Sequence, residues 1–198
     1  MRHPSLTTLL LGIAFIFALP LSAMGQDHYV TLKAGFFSPT GDLNDIPLEF
    51  DEGFYGGIAY GAYVGPNLAL EGGIGFYLTD FSDAVSDDDL VVIPVTVTLK
   101  GFFPTGIAEF YAGAGFGIHV ADLESDDNGI PTIDDTDAVL GFHLVLGANI
   151  DIINDLFFGI EGKHTWTSDA DFEKIGTPFE LGSNLNGVTV TGNLGVRF

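Results

Sequence analysis

The chain has 198 residues, with 27 acidic against 6 basic side chains and a formal charge of −21, a balance that argues against nucleic acid as a partner. It contains no cysteine, so neither a disulfide nor a lipidated cysteine is expected to hold it in place. Yet 46% of its residues are hydrophobic, so charge and apolar side chains must occupy different segments. The chain opens with Arg2 and His3, an apolar run over 9–19, then Pro20 and small residues ending at Gly25. That is the layout of a secretory signal peptide, and the run is too short for a membrane-spanning helix. Residues 1–25 are therefore expected to be cleaved, leaving 26–198 as one domain.

Beyond residue 27 the sequence shows no helical periodicity. Instead, apolar residues alternate with polar or small ones over 28–39, 54–64, 68–79, 90–103, 108–120, 138–150, 156–167 and 187–198, the period of two expected of strands. Each segment is long enough to cross a bilayer as a tilted strand. Short connections (65–67, 104–107, 151–155) follow the second, fourth and sixth segments, and long ones follow the first, third, fifth and seventh. Short turns on one side and long loops on the other predict an all-β, eight-stranded antiparallel up-and-down transmembrane barrel, with both termini on the periplasmic side. Most of the acidic residues fall in the long connections, which gives one rim an anionic character.

A soluble sandwich or lipocalin-type barrel shares the period of two, but it would need polar side chains on its outer surface. Here the apolar face is large and unbroken, as in Leu140, Phe142, Leu144 and Leu146, while the other face carries Gly141, His143 and Gly147. The apolar face therefore reads as facing lipid.

Several stretches resemble the small eight-stranded outer-membrane barrels, the group that includes outer membrane proteins A, X and W. They are the opening strand 28–39 with Gly41-Asp42 after it, Ile93-Pro94-Val95-Thr96-Val97-Thr98-Leu99-Lys100, and Phe110-Tyr111-Ala112-Gly113-Ala114-Gly115-Phe116-Gly117. Strand four, with its proline, leans toward the protein W branch. The terminal Leu194, Val196 and Phe198 look like the signal read by the barrel-assembly machinery. The resemblance implies an outer-membrane location, contact with lipid and lipopolysaccharide, and passage by way of periplasmic chaperones. It also implies a non-enzymatic role, either as a minor pore or conduit for small, including hydrophobic, compounds or as a structural or surface-interaction barrel of adhesion or resistance. A monomer without a cofactor is expected. Lipid A-modifying barrels are the enzymatic alternative.

The four histidines beyond residue 25 offer little to that alternative. His164 points outward beside Trp166, as an interfacial pair does. His119 and His143 face inward, but pairing across the intervening loop sets them about four residues apart, roughly 13 Å. Hydrogen-bonded lumen histidines are the expectation, and no metal centre is read from them. Asp87, Asp88, Asp89, Asp126 and Asp127 supply hard oxygen ligands for weak Ca²⁺ binding in the loops, although their spacing fits no EF-hand.

Inward positions also collect Tyr55, Tyr63, Tyr77 and Tyr111 beside inward glycines, which those rings are expected to cover. The scarce cations Lys33, Lys100, Lys163 and Arg197 face inward, as do Glu71, Glu109 and Glu161. A charge in a narrow lumen is costly unless paired. A salt-bridge network is therefore expected in which Arg197 and Lys33 share Glu161 or Glu71, and Lys100 meets Glu109 across the second hairpin.

Overall fold

The computed structural model describes residues 28–40, 53–83, 86–127, 130–153, 155–168, 170–173, 180–183 and 186–198; side chains are described outside 79–90, 121–137 and 169–185. The expected signal peptide, the first acidic loop and the acidic side chains proposed for Ca²⁺ lie outside these described parts. Ten strands run through the described residues: β1 (His28–Pro39), β2 (Gly53–Gly65), β3 (Leu68–Asp83), β4 (Ser86–Pro104), β5 (Glu109–Asp127), β6 (Ile130–Ile153), β7 (Leu156–Thr167), β8 (Ala170–Glu173), β9 (Glu180–Ser183) and β10 (Gly187–Arg197). Eight of them close into an antiparallel barrel in the order β1-β10-β7-β6-β5-β4-β3-β2. Closure leaves no edge strand, so the backbone groups in the bilayer are paired within the protein.

The seam is tied at its base. The amide of His28 donates to the carbonyl of Phe198 at 2.7 Å, and that of Phe198 donates back to His28 at 2.8 Å. β1 and β10 then pair from Tyr29 with Arg197 up to Pro39 with Gly187. Along each strand the faces alternate as the sequence predicts. Leu32, Phe36, Phe116, Leu140, Leu146 and Phe158 are exposed toward lipid, whereas Tyr29, Thr31, Val145, Phe157, Thr189 and Asn193 are buried in the lumen.

Two of the connections read as loops are not loops in their backbone. β3 and β4 stay paired out to Asp83 with Ser86, and β5 and β6 out to Asp127 with Ile130. The segment 168–186 contributes the small β8–β9 hairpin. Where a ribbon leaves the bilayer, neither face needs to be apolar. The period-two signal then fades while the hydrogen-bond ladder continues. Within the barrel, the β3–β4 register skips from Ile74–Val95 to Tyr77–Val92. Pro94 sits in this gap with its side chain buried, and a proline has no amide proton for the ladder.

The lumen is lined where aromatic rings lie over glycines of the same or the next strand. The Tyr55 hydroxyl lies 2.7 Å from where a β-carbon on Gly57 or Gly75 would sit, and a β-carbon on Gly61 or Gly147 would run into the rings of Tyr29 or Tyr111. Gly61→Ala is therefore expected to displace Tyr29 and to lower stability by about 1 to 3 kcal/mol, the usual cost of overpacking, in urea titrations of the refolded protein. Gly162→Ala is the control, because the nearest atom to a β-carbon there, the Leu146 carbonyl oxygen, lies 4.0 Å away.

Candidate functional site: the barrel lumen

Register fixes the height of every inward side chain. Lys33 pairs with Asn193 and Gly57, Glu71 with Gly61 and Thr98, Lys100 with Ala69 and Gly113, and Glu161 with Thr191 and Gly147. Glu71 on β3 and Glu161 on β7 stand four strands apart in the ring of eight, on opposite walls. The two lysines join them across the lumen. Lys33 Nζ lies 2.9 Å from Glu71 Oε1 and 2.9 Å from Glu161 Oε1. Lys100 Nζ lies 2.8 Å from Glu71 Oε2 and 2.6 Å from Glu161 Oε2. Each carboxylate thus gives one oxygen to each ammonium, and all four side chains are buried.

Tyrosines complete the shell. Tyr29 donates its hydroxyl to Glu71 Oε2 at 2.9 Å and Tyr111 donates to Glu161 Oε2 at 3.0 Å. The Lys100 ammonium also lies 4.6 Å from the Tyr111 ring centroid. Such pairing, with hydrogen bonds on the remaining lone pairs, is what a buried charge needs. Below the ring of charges an aromatic floor packs Tyr29, Phe102, Tyr111 and Phe157, with Tyr63 against it. Between the two layers the free space is about 10 Å³, at the lower limit for one water molecule.

The expected network is corrected in its partners. Arg197 does not join Lys33; it pairs with Glu109, Nη2 to Oε1 at 2.8 Å, and with Asp151 at the mouth. Lys100 does not meet Glu109. Both misassignments are matters of height. Arg197 pairs with Tyr29, four residues below Lys33, and Glu109 pairs with Pro104, four residues below Lys100. Four residues of strand amount to roughly 13 Å, beyond the reach of either pair. Lys163 joins neither group. Its ammonium lies 4.9 Å from the Tyr55 ring centroid and 5.8 Å from that of Tyr77.

Four inward aromatics escaped the sequence reading: Tyr29, Phe102 and Phe157, all buried, and the partly buried Phe37. Phe102 and Phe157 had a signal in the alternation itself, two residues from inward Lys100 and four from inward Glu161, with Phe103 and Phe158 on the outward face. Tyr29 had a usable signal, since the β1–β2 hairpin sets it opposite Gly61. The histidines keep the predicted register, with His119 opposite Val139 and His143 opposite Gly115. His143 Nε2 lies 2.8 Å from Thr98 Oγ1. Outside, the His164 and Trp166 rings meet edge-on at 4.1 Å.

A closed eight-stranded barrel with an apolar outer band, a polar lumen and short turns beside its termini defines an outer-membrane barrel protein. The family comparison agrees: residues 8–198 match the outer membrane protein beta-barrel domain, and the chain belongs to that family, in the outer membrane of the cell. Among solved structures it is similar to Neisserial surface protein A, at 14% identity and a TM-score of 0.61 over 88% of this chain and 98% of that one. A major outer membrane protein from Thermus thermophilus is 16% identical with a TM-score of 0.53, over 88% of this chain and all (100%) of that one. Ail, the attachment invasion locus protein of Yersinia pestis, is 15% identical with a TM-score of 0.52 over the same shares. At these identities the likeness is one of fold. No curated protein sequence matches the chain.

Proposed function

We propose that the protein is a non-conducting, non-enzymatic outer-membrane barrel that acts as a monomeric platform for its acidic outer hairpins, a structural and surface-interaction role. The observation that carries this reading is the plugged lumen: four paired charges and an aromatic floor, with room between them for about one water. A minor pore or conduit, the competing role, needs a continuous wet path, and these layers fill the barrel through its lower half. Barrels of eight strands are just wide enough to be filled by their own side chains.

The outer segments carry runs such as Asp87-Asp88-Asp89 and Asp134-Asp135. Such a rim suits basic partners, or divalent ions bridging to lipopolysaccharide phosphates, rather than a polyanion of the kind that Ail is described with, a heparin analogue. Lipid and lipopolysaccharide surround the apolar band, and the barrel-assembly machinery reads Leu194, Val196 and Phe198.

The test is conductance in planar bilayers. The refolded protein is expected to give no sustained open level, and stable steps that scale with salt would replace this reading with the pore. Lipid A mass spectra of cells with and without the protein are expected to be identical; a new acylated or deacylated species would make it an enzyme.

A further inference from the structure

Above the ring of charges, the lumen holds a second polar layer that the first does not neutralise. Among the described residues, Lys33 and Lys100 are matched by Glu71 and Glu161, and Arg197 by Glu109 and Asp151, but Lys163 has only the faces of Tyr55 and Tyr77. Around it stand buried polar atoms without a hydrogen-bond partner: Thr165 Oγ1, Thr189 Oγ1, the Tyr77 hydroxyl, His143 Nδ1 and His119 Nε2. Their side chains are nearly or fully buried.

These atoms come together by register. Thr189 is the direct cross-strand neighbour of Lys163, and Thr165 lies two residues further toward the loops on the same face. His143 pairs with Thr165. Tyr77 approaches from the opposite wall. The His119 ring lies over Gly141, its Nε2 2.8 Å from where a β-carbon would be, and Gly141 is two residues from His143. Three of the groups are hydroxyls free to donate. His143 Nδ1 also donates in the tautomer whose Nε2 accepts from Thr98.

We propose that this upper layer binds one small monovalent anion of halide size, held by the Lys163 ammonium together with the hydroxyls of Thr165, Thr189 and Tyr77 and the imidazole of His143. An internal water would satisfy the hydroxyls but leave the ammonium charge uncompensated, a state that burial penalises heavily. A single negative charge balances Lys163 itself, which, unlike Lys33, Lys100 and Arg197, has no carboxylate within ion-pair distance among the described residues. A larger polyatomic dianion would overbalance that one charge. The anion sits on the loop side of Lys163, away from Glu161, which is two residues nearer the periplasmic mouth on the same strand.

Two measurements on the full barrel, refolded in detergent, test the site. Crystals grown with bromide in place of chloride are expected to show one anomalous peak within contact distance of Lys163 Nζ. Urea unfolding in chloride, compared with gluconate at equal ionic strength, is expected to show a midpoint that rises and saturates with chloride, because a ligand that binds only the folded state stabilises it. Lys163→Met is expected to abolish that rise and Thr189→Val to shift it to higher chloride; the second variant keeps its lysine and serves if the first does not fold. Equal midpoints in the two salts, a rise that persists unchanged in the variants, or a lumen in which water or a carboxylate of the chain takes the place of bromide would each overturn the proposal.

Discussion

Glu161→Gln is expected to be among the most destabilising single substitutions in this barrel, at about 3 to 5 kcal/mol, the cost of removing one partner from a buried ion pair. Glu161 accepts from both Lys33 and Lys100 and also from the Tyr111 hydroxyl. Glutamine fills the same volume, so what is lost is charge rather than packing. The two ammonium groups would then share Glu71 alone. Glu109→Gln is the informative contrast. Its partner Arg197 is partly open to solvent at the mouth, where Asp151, 62% exposed in its side chain, remains to pair with it. The Glu109–Arg197 pair is itself partly buried, but Arg197 keeps Asp151, so its loss is expected to fall between the roughly 0 to 1 kcal/mol of an exposed pair and the cost at the central ring. Urea unfolding of both variants in lipid vesicles checks the difference, and equal costs would mean that the central ring is not the anchor of the lumen. A joint replacement of Lys33, Lys100, Glu71 and Glu161 by apolar residues of similar volume is expected to recover much of the loss, because the isolated charge is what costs.

The face on which each residue lies was legible in the sequence, because a bilayer outside and a polar lumen inside impose alternation along segments such as 138–150. The eight strands of the barrel, the short connections after β2, β4 and β6, and the inward placement of all seven charged residues followed from it. What alternation does not encode is height across a tilted ring of strands. Lys100 and Glu109 look like hairpin partners in sequence, yet the β4–β5 register sets Lys100 opposite Gly113 and Glu109 opposite Pro104. The actual partners are Glu71, a diagonal neighbour on the adjacent β3, and Glu161, which comes from a different region of the chain and meets Lys100 across the lumen. In so narrow a barrel, inward side chains meet across the interior as readily as along a strand pair, so pairing between adjacent strands finds Glu71 but not Glu161. The outer extensions of β3 to β6 were missed for a different reason: with water on both faces, pairing leaves no apolar trace.

The second large effect concerns which solvent each face meets. Leu144 is 44% exposed and Val145 is 3% exposed, although they are consecutive on β6. Leu144 lies near the middle of the outward row from Leu140 to Ile150, so Leu144→Arg is expected to cost about 2 to 4 kcal/mol, the penalty for a cation at the bilayer midplane. A smaller cost for the same charge at Val145 would hold for a wet lumen, but this lumen is packed. Val145 pairs with the cationic Lys163, and its Cγ2 already lies 2.9 Å from where Gly113 would carry a β-carbon. Val145→Arg therefore adds like charge and bulk, and it is expected to be harmful as well. Phenylalanine separates the two environments better than arginine does. Leu144→Phe only exchanges one lipid-facing apolar surface for another and is expected to fold with unchanged stability. Val145→Phe is expected to lose about 1 to 3 kcal/mol through overpacking against Gly113 and Lys163. Parallel unfolding titrations in vesicles of the four variants read both contrasts at once. Equal tolerance of phenylalanine at the two positions, or a harmless arginine at Leu144, would place the wrong face of β6 toward lipid.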